Sequence, residues 1–171
     1  LIAQTGPVIY QVTNKFLIDH GYSVPVDITF LRVTEPELSG SMPYHEAYDA
    51  GVVDNVSRNK KVCGIVEQLV REGRQVLILV QRIRHGEILD DMLWSTSKNE
   101  HLPHQFISGK EKSEVRRQAL TDFKEGELPV LIATRILDQG IDVPRIDALV
   151  IAGGNKARIG ALQRIGHGLR T

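Results

Sequence analysis

Cysteine is almost absent: Cys63 is the only one in 171 residues. One thiol can form no internal disulfide and cannot build a cysteine-based zinc site. Long apolar runs are absent as well. The longest, residues 76–80 and 148–152, hold five residues each, against about 20 needed to span a bilayer. No membrane partner is expected. No basic, apolar, small-residue leader opens the sequence, which argues against a secretory signal. Together these absences point to an intracellular protein, cytoplasmic or associated with a nucleoid. The first residue is Leu1 rather than Met, which suggests a fragment or a processed product.

Acidic residues are missing only locally. Over the whole chain 21 Lys and Arg balance 21 Asp and Glu, but residues 148–171 contain no acid at all. Lys156, Arg158, Arg164 and Arg170 carry that stretch. Either it is a solvated basic face or it binds an anion, because distribution matters more than the sum. With 42% hydrophobic and 25% charged residues the rest is ordinary. That balance excludes wholesale disorder, and the length suits one domain or one lobe of a larger enzyme.

Residues 1–55 are mixed. Thr13 can cap a short helix carrying Phe16, Leu17 and Ile18, and Val26, Ile28 and Phe30 alternate as in a strand. Residues 35–43 read as a loop and 44–53 as a short helix. From Ser57, taken as a helix cap, the pattern becomes regular. Val62, Ile65, Val66, Leu69 and Val70 mark one buried helix face, stopped by Gly73. Buried strands are expected at 76–80, 105–107, 130–133 and 148–151. Between them fall helices at 83–93 and from Ser113, the latter with Val115, Ala119, Leu120 and Phe123 inward and ended by Gly126. A last helix covers 158–164. Short apolar strands alternating with amphipathic helices define an α/β domain, with a mostly parallel central sheet and helices on both faces. Ligands of such sheets sit beyond the carboxyl ends of the strands, here near Gln81, Ser108, Thr134 and Gly153.

Those loops carry the chemistry. Thr134-Arg-Ile-Leu-Asp-Gln-Gly140-Ile-Asp142-Val-Pro144 follows a buried strand, where a hydroxyl and free N–H groups suit a phosphate. Gly140 permits a turn that a side chain would block, and Asp142 can accept from a ribose hydroxyl. The plainer alternative is a tight turn into the next strand. Gln163-Arg164-Ile-Gly-His167-Gly-Leu-Arg170 is more specific. Arg164, His167 and Arg170 recur every three residues and cluster on one side of a helix or turn. Such groups can neutralise charge on a transferring phosphoryl group. An ordinary basic surface helix would avoid the two intervening glycines.

In combination these segments resemble the second RecA-like lobe of superfamily 2 helicases and translocases of the DEAD/DEAH-box kind. Thr134 to Pro144 is similar to motif V, Gln163 to Arg170 to motif VI, and the stretch from Val76 to Leu89 to motif IV. Ile107-Ser-Gly-Lys110 takes the place of the following nucleic-acid-contact motif. Thr5-Gly-Pro-Val-Ile-Tyr10 resembles the connection between lobes near the nucleotide-excision-repair helicases. The resemblance implies a three-layer RecA-like lobe at 56–171, with 1–55 the inter-lobe connection and the start of the lobe. It implies ATP with Mg²⁺ as cofactor, held mainly by an N-terminal RecA-like lobe, and nucleic acid, DNA before RNA, as partner. Gly140 and Asp142 would join the nucleotide site, Gln163 and Arg170 would reach the γ-phosphate, and Arg164 would bridge to the first lobe. Gln81, Ser108, Gly109 and Thr134 would lie against the nucleic-acid backbone.

Two departures qualify this. His167 stands where the family's motif VI has a finger arginine. Histidine is shorter and mostly neutral at pH 7, and loss of a fixed finger charge can cost on the order of 10³-fold in rate. Nor is there a phosphate loop, since Gly153-Gly-Asn-Lys156 has the wrong spacing, and no Asp-Glu-Ala-Asp sequence is present. The chain alone is therefore expected not to hydrolyse ATP. The alternative is a non-catalytic nucleic-acid-binding module of the same fold. A dinucleotide-binding domain lacks its glycine fingerprint. A metal site lacks its ligands too: His20, His45, His85, His101, His104 and His167 show no helical four-residue pairing. Cys63 reads as core or its margin, and Trp94 as packing with base stacking as the alternative.

Overall fold

A computed structural model describes residues 27–96, 102–134 and 146–153, with Phe16, Asp19 and His20. Helix α1 (Tyr44–Tyr48) runs into a π-helical turn at Asp49–Val53, followed by α2 (Val56–Arg71). Then come β1 (Val76–Leu79), α3 (Ile83–Thr96), β2 (His104–Ile107), α4 (Ser113–Glu125), β3 (Val130–Ala133) and β4 (Ala148–Ile151). The four strands form one sheet in the order β2-β3-β1-β4. Every pairing is parallel, with Val76 opposite both Val130 and Ala148, and His104 opposite Val130.

Side-chain alternation divides the core in two. Val76, Ile78, Val130 and Ile132 face α2 and α3, where Val62, Val66, Leu89 and Leu93 meet them. Leu77, Leu131, Ala133 and Ile107 face the other way, onto Ala119 and Phe123 of α4. Burial on both faces explains why β1 and β3 are continuously apolar instead of alternating. The helix placement follows from handedness. The step from β1 to β2 runs across the sheet in one direction, and the step from β2 to β3 returns. Right-handed crossovers then require α3 and α4 on opposite faces.

Several expectations are met, and three are corrected. Residues 35–43 are irregular, and α2 ends in a Schellman motif, with Gly73 N–H on the Val70 carbonyl at 2.9 Å and Arg74 N–H on Leu69 at 3.0 Å. Gly73 has φ 77° and Gly126, closing α4, has φ 85°, the left-handed region that glycine enters cheaply. The cap of α2, however, is Asn55 and not Ser57: its side-chain oxygen accepts the Arg58 N–H at 2.9 Å. Residues 27–30 form no strand, and Ile28 and Phe30 are 63% and 83% exposed. Alternation by itself supplies no neighbour to pair with. Val115 is exposed rather than inward, although Ala119 and Phe123 on the same helix are buried. The helices expected from Thr13 and at 158–164 lie largely or wholly outside the described residues.

One contact is tight enough to test. Gly86 in α3 packs against the Phe106 ring on β2, and an added Cβ would sit 2.2 Å from that ring. Gly86→Ala should lower stability by roughly 1–3 kcal/mol in urea unfolding. Adding Phe106→Val, which empties the space, should restore part of the loss.

Candidate nucleic-acid interface

Parallel pairing sends every strand's exit to one edge. Gln81 and Arg82 after β1, Ser108 and Gly109 after β2, Thr134 after β3 and Gly153 after β4 all lie along it. Adjacent strands β1 and β3 send their connections in opposite directions, to β2 and to β4. Between such strands a binding crevice opens in sheets of this topology.

The exits are knitted together by the backbone. Thr134 N–H donates to the Ile107 carbonyl at 3.3 Å, and Val80 N–H to Ala133 at 3.0 Å. Gly153 N–H reaches the Leu79 carbonyl at 3.0 Å. A Cβ at Gly153 would stand 2.9 Å from the Gln81 nitrogen, so the close approach of the β4 and β1 exits depends on glycine. Thr134 is buried, and Gln81 is part-buried with a side-chain oxygen that has no hydrogen-bond partner among the described residues. Gly109 is exposed, whereas Ser108 is fully buried. Its N–H and hydroxyl both engage Glu111, the hydroxyl at 3.1 Å. Partial desolvation pushes the Glu111 carboxyl up. The Ser108 hydrogen bonds, its own N–H and the nearby Arg116 outweigh that and hold it below the usual carboxylate range.

Beneath the β1 exit is a polar support that sequence reasoning missed. Arg82 places one nitrogen 2.9 Å from both carboxylate oxygens of Asp49 in the π turn, and its guanidinium lies 5.1 Å from the Tyr48 ring centre. Arg58, from the first turn of α2, donates to the Ala152 carbonyl at the end of β4. Asn59 is buried, and its amide donates to the Val53 carbonyl at 2.8 Å while its oxygen meets His85 Nε2 at 3.0 Å. That oxygen can only accept, so His85 carries its proton on Nε2. No sequence signal marks this group, because its members are far apart in the chain and none follows a motif spacing. Glu111 was findable: Ser-x-x-Glu is the spacing of a capping box.

Gly140, Asp142, Gln163, Arg164, His167 and Arg170 lie outside the described residues, as does Thr5 to Tyr10. Among the described residues no group of His, Cys, Asp or Glu could hold a metal ion, and no helix is long and apolar enough to cross a membrane. Cys63 is buried core, its thiol pushed up to about 11 by burial and by Glu67. Trp94 is exposed near the end of α3, edge-on to His104 at the start of β2 with ring centres 6.4 Å apart. That places it at the amino edge of the sheet, opposite the exits.

An all-parallel sheet with helices on both faces and polar exits along one edge is a doubly wound α/β lobe of the kind that includes RecA-like folds. Residues 57–171 match the model of the helicase conserved C-terminal domain. The chain belongs to that family. It is 28% identical over 149 residues to the pre-mRNA-splicing ATP-dependent RNA helicase PRP28 of Scheffersomyces stipitis, covering 86% of this chain and 30% of that protein. It is 23% identical to the ATP-dependent DNA helicase uvsW of Enterobacteria phage T4, across 99% of this chain and 34% of the other. The chain thus spans about a third of each of these two relatives. Among solved structures, the Pyrococcus furiosus Hef helicase domain matches with TM-score 0.54 and 24% identity, over 66% of this chain and 23% of that one. Mss116p DEAD-box helicase domain 2, bound to an RNA duplex, matches with TM-score 0.54 and 21% identity, over 67% and 46%. These two share the fold.

The buried histidine gives a pH test. Burial, and secondarily the Arg58 charge, push His85 down from 6.5 to about 4. The unfolded chain therefore takes up a proton first as pH falls. The stability that neutral His85 contributes is complete above pH 6.5 and is lost as pH drops from there toward 4. Between pH 7 and pH 5 the loss should be about 2 kcal/mol. Urea unfolding of His85→Gln should show a correspondingly shallower pH dependence over that interval.

Proposed function

We propose that the chain is the C-terminal motor lobe of an ATP-dependent nucleic-acid helicase or translocase. The observation that carries this is the shared carboxyl edge, which gathers Gln81, Ser108, Gly109 and Thr134 in a member of the helicase C-terminal family. Contacts from such loops go to phosphates, giving affinity without sequence preference. DNA is proposed before RNA as substrate, on the resemblance of Thr5 to Tyr10 to the connection between lobes near the nucleotide-excision-repair helicases; DNA and RNA helicases alike match along nearly the full chain. The protein would act inside the cell.

In this reading Gly140 and Asp142 border the nucleotide and couple it to the nucleic-acid track. Gln163 and Arg170 reach its γ-phosphate, and Arg164 bridges to the first lobe. ATP and Mg²⁺ would be held mainly by that lobe, because this chain has no phosphate loop. When bound, ATP supplies the free energy for movement. Alone, the chain would bind nucleic acid without hydrolysing ATP. His167 in a finger position favours a second reading, a nucleic-acid-binding module whose turnover has been lost.

Two measurements separate these. The chain should bind single strands with an affinity that falls steeply as salt rises, and Thr134→Val should weaken binding by about 1 kcal/mol. Joined to a first lobe with a phosphate loop, it should show ATP hydrolysis that single strands stimulate, and His167→Arg should raise the rate by up to about 10³-fold. Binding with no hydrolysis in either form supports the module. Absence of binding rejects both readings.

A further inference from the structure

The exit of β2 holds two donors suited to an anion, the backbone N–H and the hydroxyl of Ser108. Ser108 is fully buried, and what lies on both donors is the carboxylate of Glu111, three residues on. The hydroxyl oxygen in turn accepts the Lys110 N–H at 3.3 Å. Basic side chains flank Glu111 in the sequence, although Lys110 also faces Glu87 at 3.9 Å and Glu114 follows three residues on. Lys110 and Lys112 are exposed, and Arg116 grips the Glu111 backbone carbonyl at 2.7 Å. Two carboxylate oxygens thus occupy an N–H and an O–H, which is how a phosphate would be received.

We infer that Glu111 is an internal stand-in for a nucleic-acid phosphate, occupying the Ser108 donors in the free protein and displaced when a backbone phosphate binds there. This rests on the nucleic-acid-binding reading above. Ser108 then contributes to affinity only after a competitor of the same charge and geometry has moved. Glu111 sets how tightly a strand must bind to reach the β2 exit. Its hold is charge-assisted, roughly twice as strong as a neutral hydrogen bond. Glu111 remains part-buried and reaches Ser108 across one short turn. Displacement requires the Glu111 side chain to swing outward and free both donors.

Three substitutions distinguish a competitor from a cap or from one more negative charge. Glu111→Gln keeps an acceptor oxygen and so the turn, but loses the charge-assisted hold. Glu111→Asp keeps the charge and loses the reach. Ser108→Ala removes the hydroxyl donor. Binding of a fluorescent oligothymidylate to the 171-residue chain, read by anisotropy at fixed salt, should tighten roughly five- to tenfold for Glu111→Gln. Glu111→Asp should also tighten binding, and combining either change with Ser108→Ala should remove most of the gain. The inference is overturned if Glu111→Asp leaves affinity unchanged, or if the gain from Glu111→Gln persists in full without the hydroxyl, since either marks a general charge effect. It is equally overturned if the unaltered chain binds and neither Glu111 variant binds more tightly. If neither the unaltered chain nor any variant binds, the nucleic-acid reading itself fails, and this inference with it. Melting temperatures alongside separate loss of fold from loss of binding, and a modest drop is expected for Glu111→Gln, whose single acceptor oxygen cannot serve both Ser108 donors.

Discussion

Parallel pairing at the centre of the sheet is the constraint on which the rest depends. Residues 76–78 and all of β3 are fully buried, and strands apolar on both faces need helices above and below. Parallel strands need crossovers, and crossovers of one hand fix which helix covers which face. Once β1 lies between β3 and β4, the loops after every strand must emerge at one edge. The clustering of polar residues there is a consequence of topology. No attraction among those residues is required to assemble it.

The edge is then stiffened by groups with no chemistry of their own to perform. Asn55 caps α2 and also donates to the Gly51 carbonyl at 3.2 Å and to the Glu35 carbonyl. It therefore binds the entering chain, the π turn and a helix start at one point. One turn further along α2, Arg58 takes the carbonyl that ends β4. Buried polar groups of this kind add little net stability, because water satisfied them in the unfolded chain. Their effect is on uniqueness: leaving any one unpaired costs about 1–3 kcal/mol, so few alternative packings survive. Neutral His85 shows the cost of such a place, since protonation would put a charge beside Arg58.

The sheet and its helices were legible because burial on two faces leaves continuous apolar strands, and helix faces repeat every three or four residues. Gly73 and Gly126 marked helix ends for the same local reason. What failed was local pattern without a partner. Ile28 and Phe30 alternate as a strand does, yet among the described residues no neighbouring strand receives them. Val115 fits the helical repeat of Ala119 and Phe123 but is exposed. Of the expected site residues, Gln81, Ser108, Gly109 and Thr134 do come to one edge, since a strand's exit can be read from the strand. The support under that edge was illegible. Asp49 with Arg82, Asn59 with His85, and Arg58 with the Ala152 carbonyl are pairs that only the folded chain brings together.

Under the proposed function, an edge that accepts phosphates faces a problem before they arrive. Donors aimed at an absent anion are costly when buried, about 1–3 kcal/mol for each one unsatisfied. Exposed donors can be met by water, and Gly109 is of that kind. Ser108, fully buried at the end of β2, is not, and the carboxylate of Glu111 satisfies it from within the same turn. A fold with preformed anion sites thus tends to carry its own anion. If Glu111 is such a stand-in, phosphate affinity at this exit is a difference between two bound anions, the carboxylate and the phosphate. A neutral sum over the sequence is compatible with a polyanionic partner, because distribution matters more than the sum.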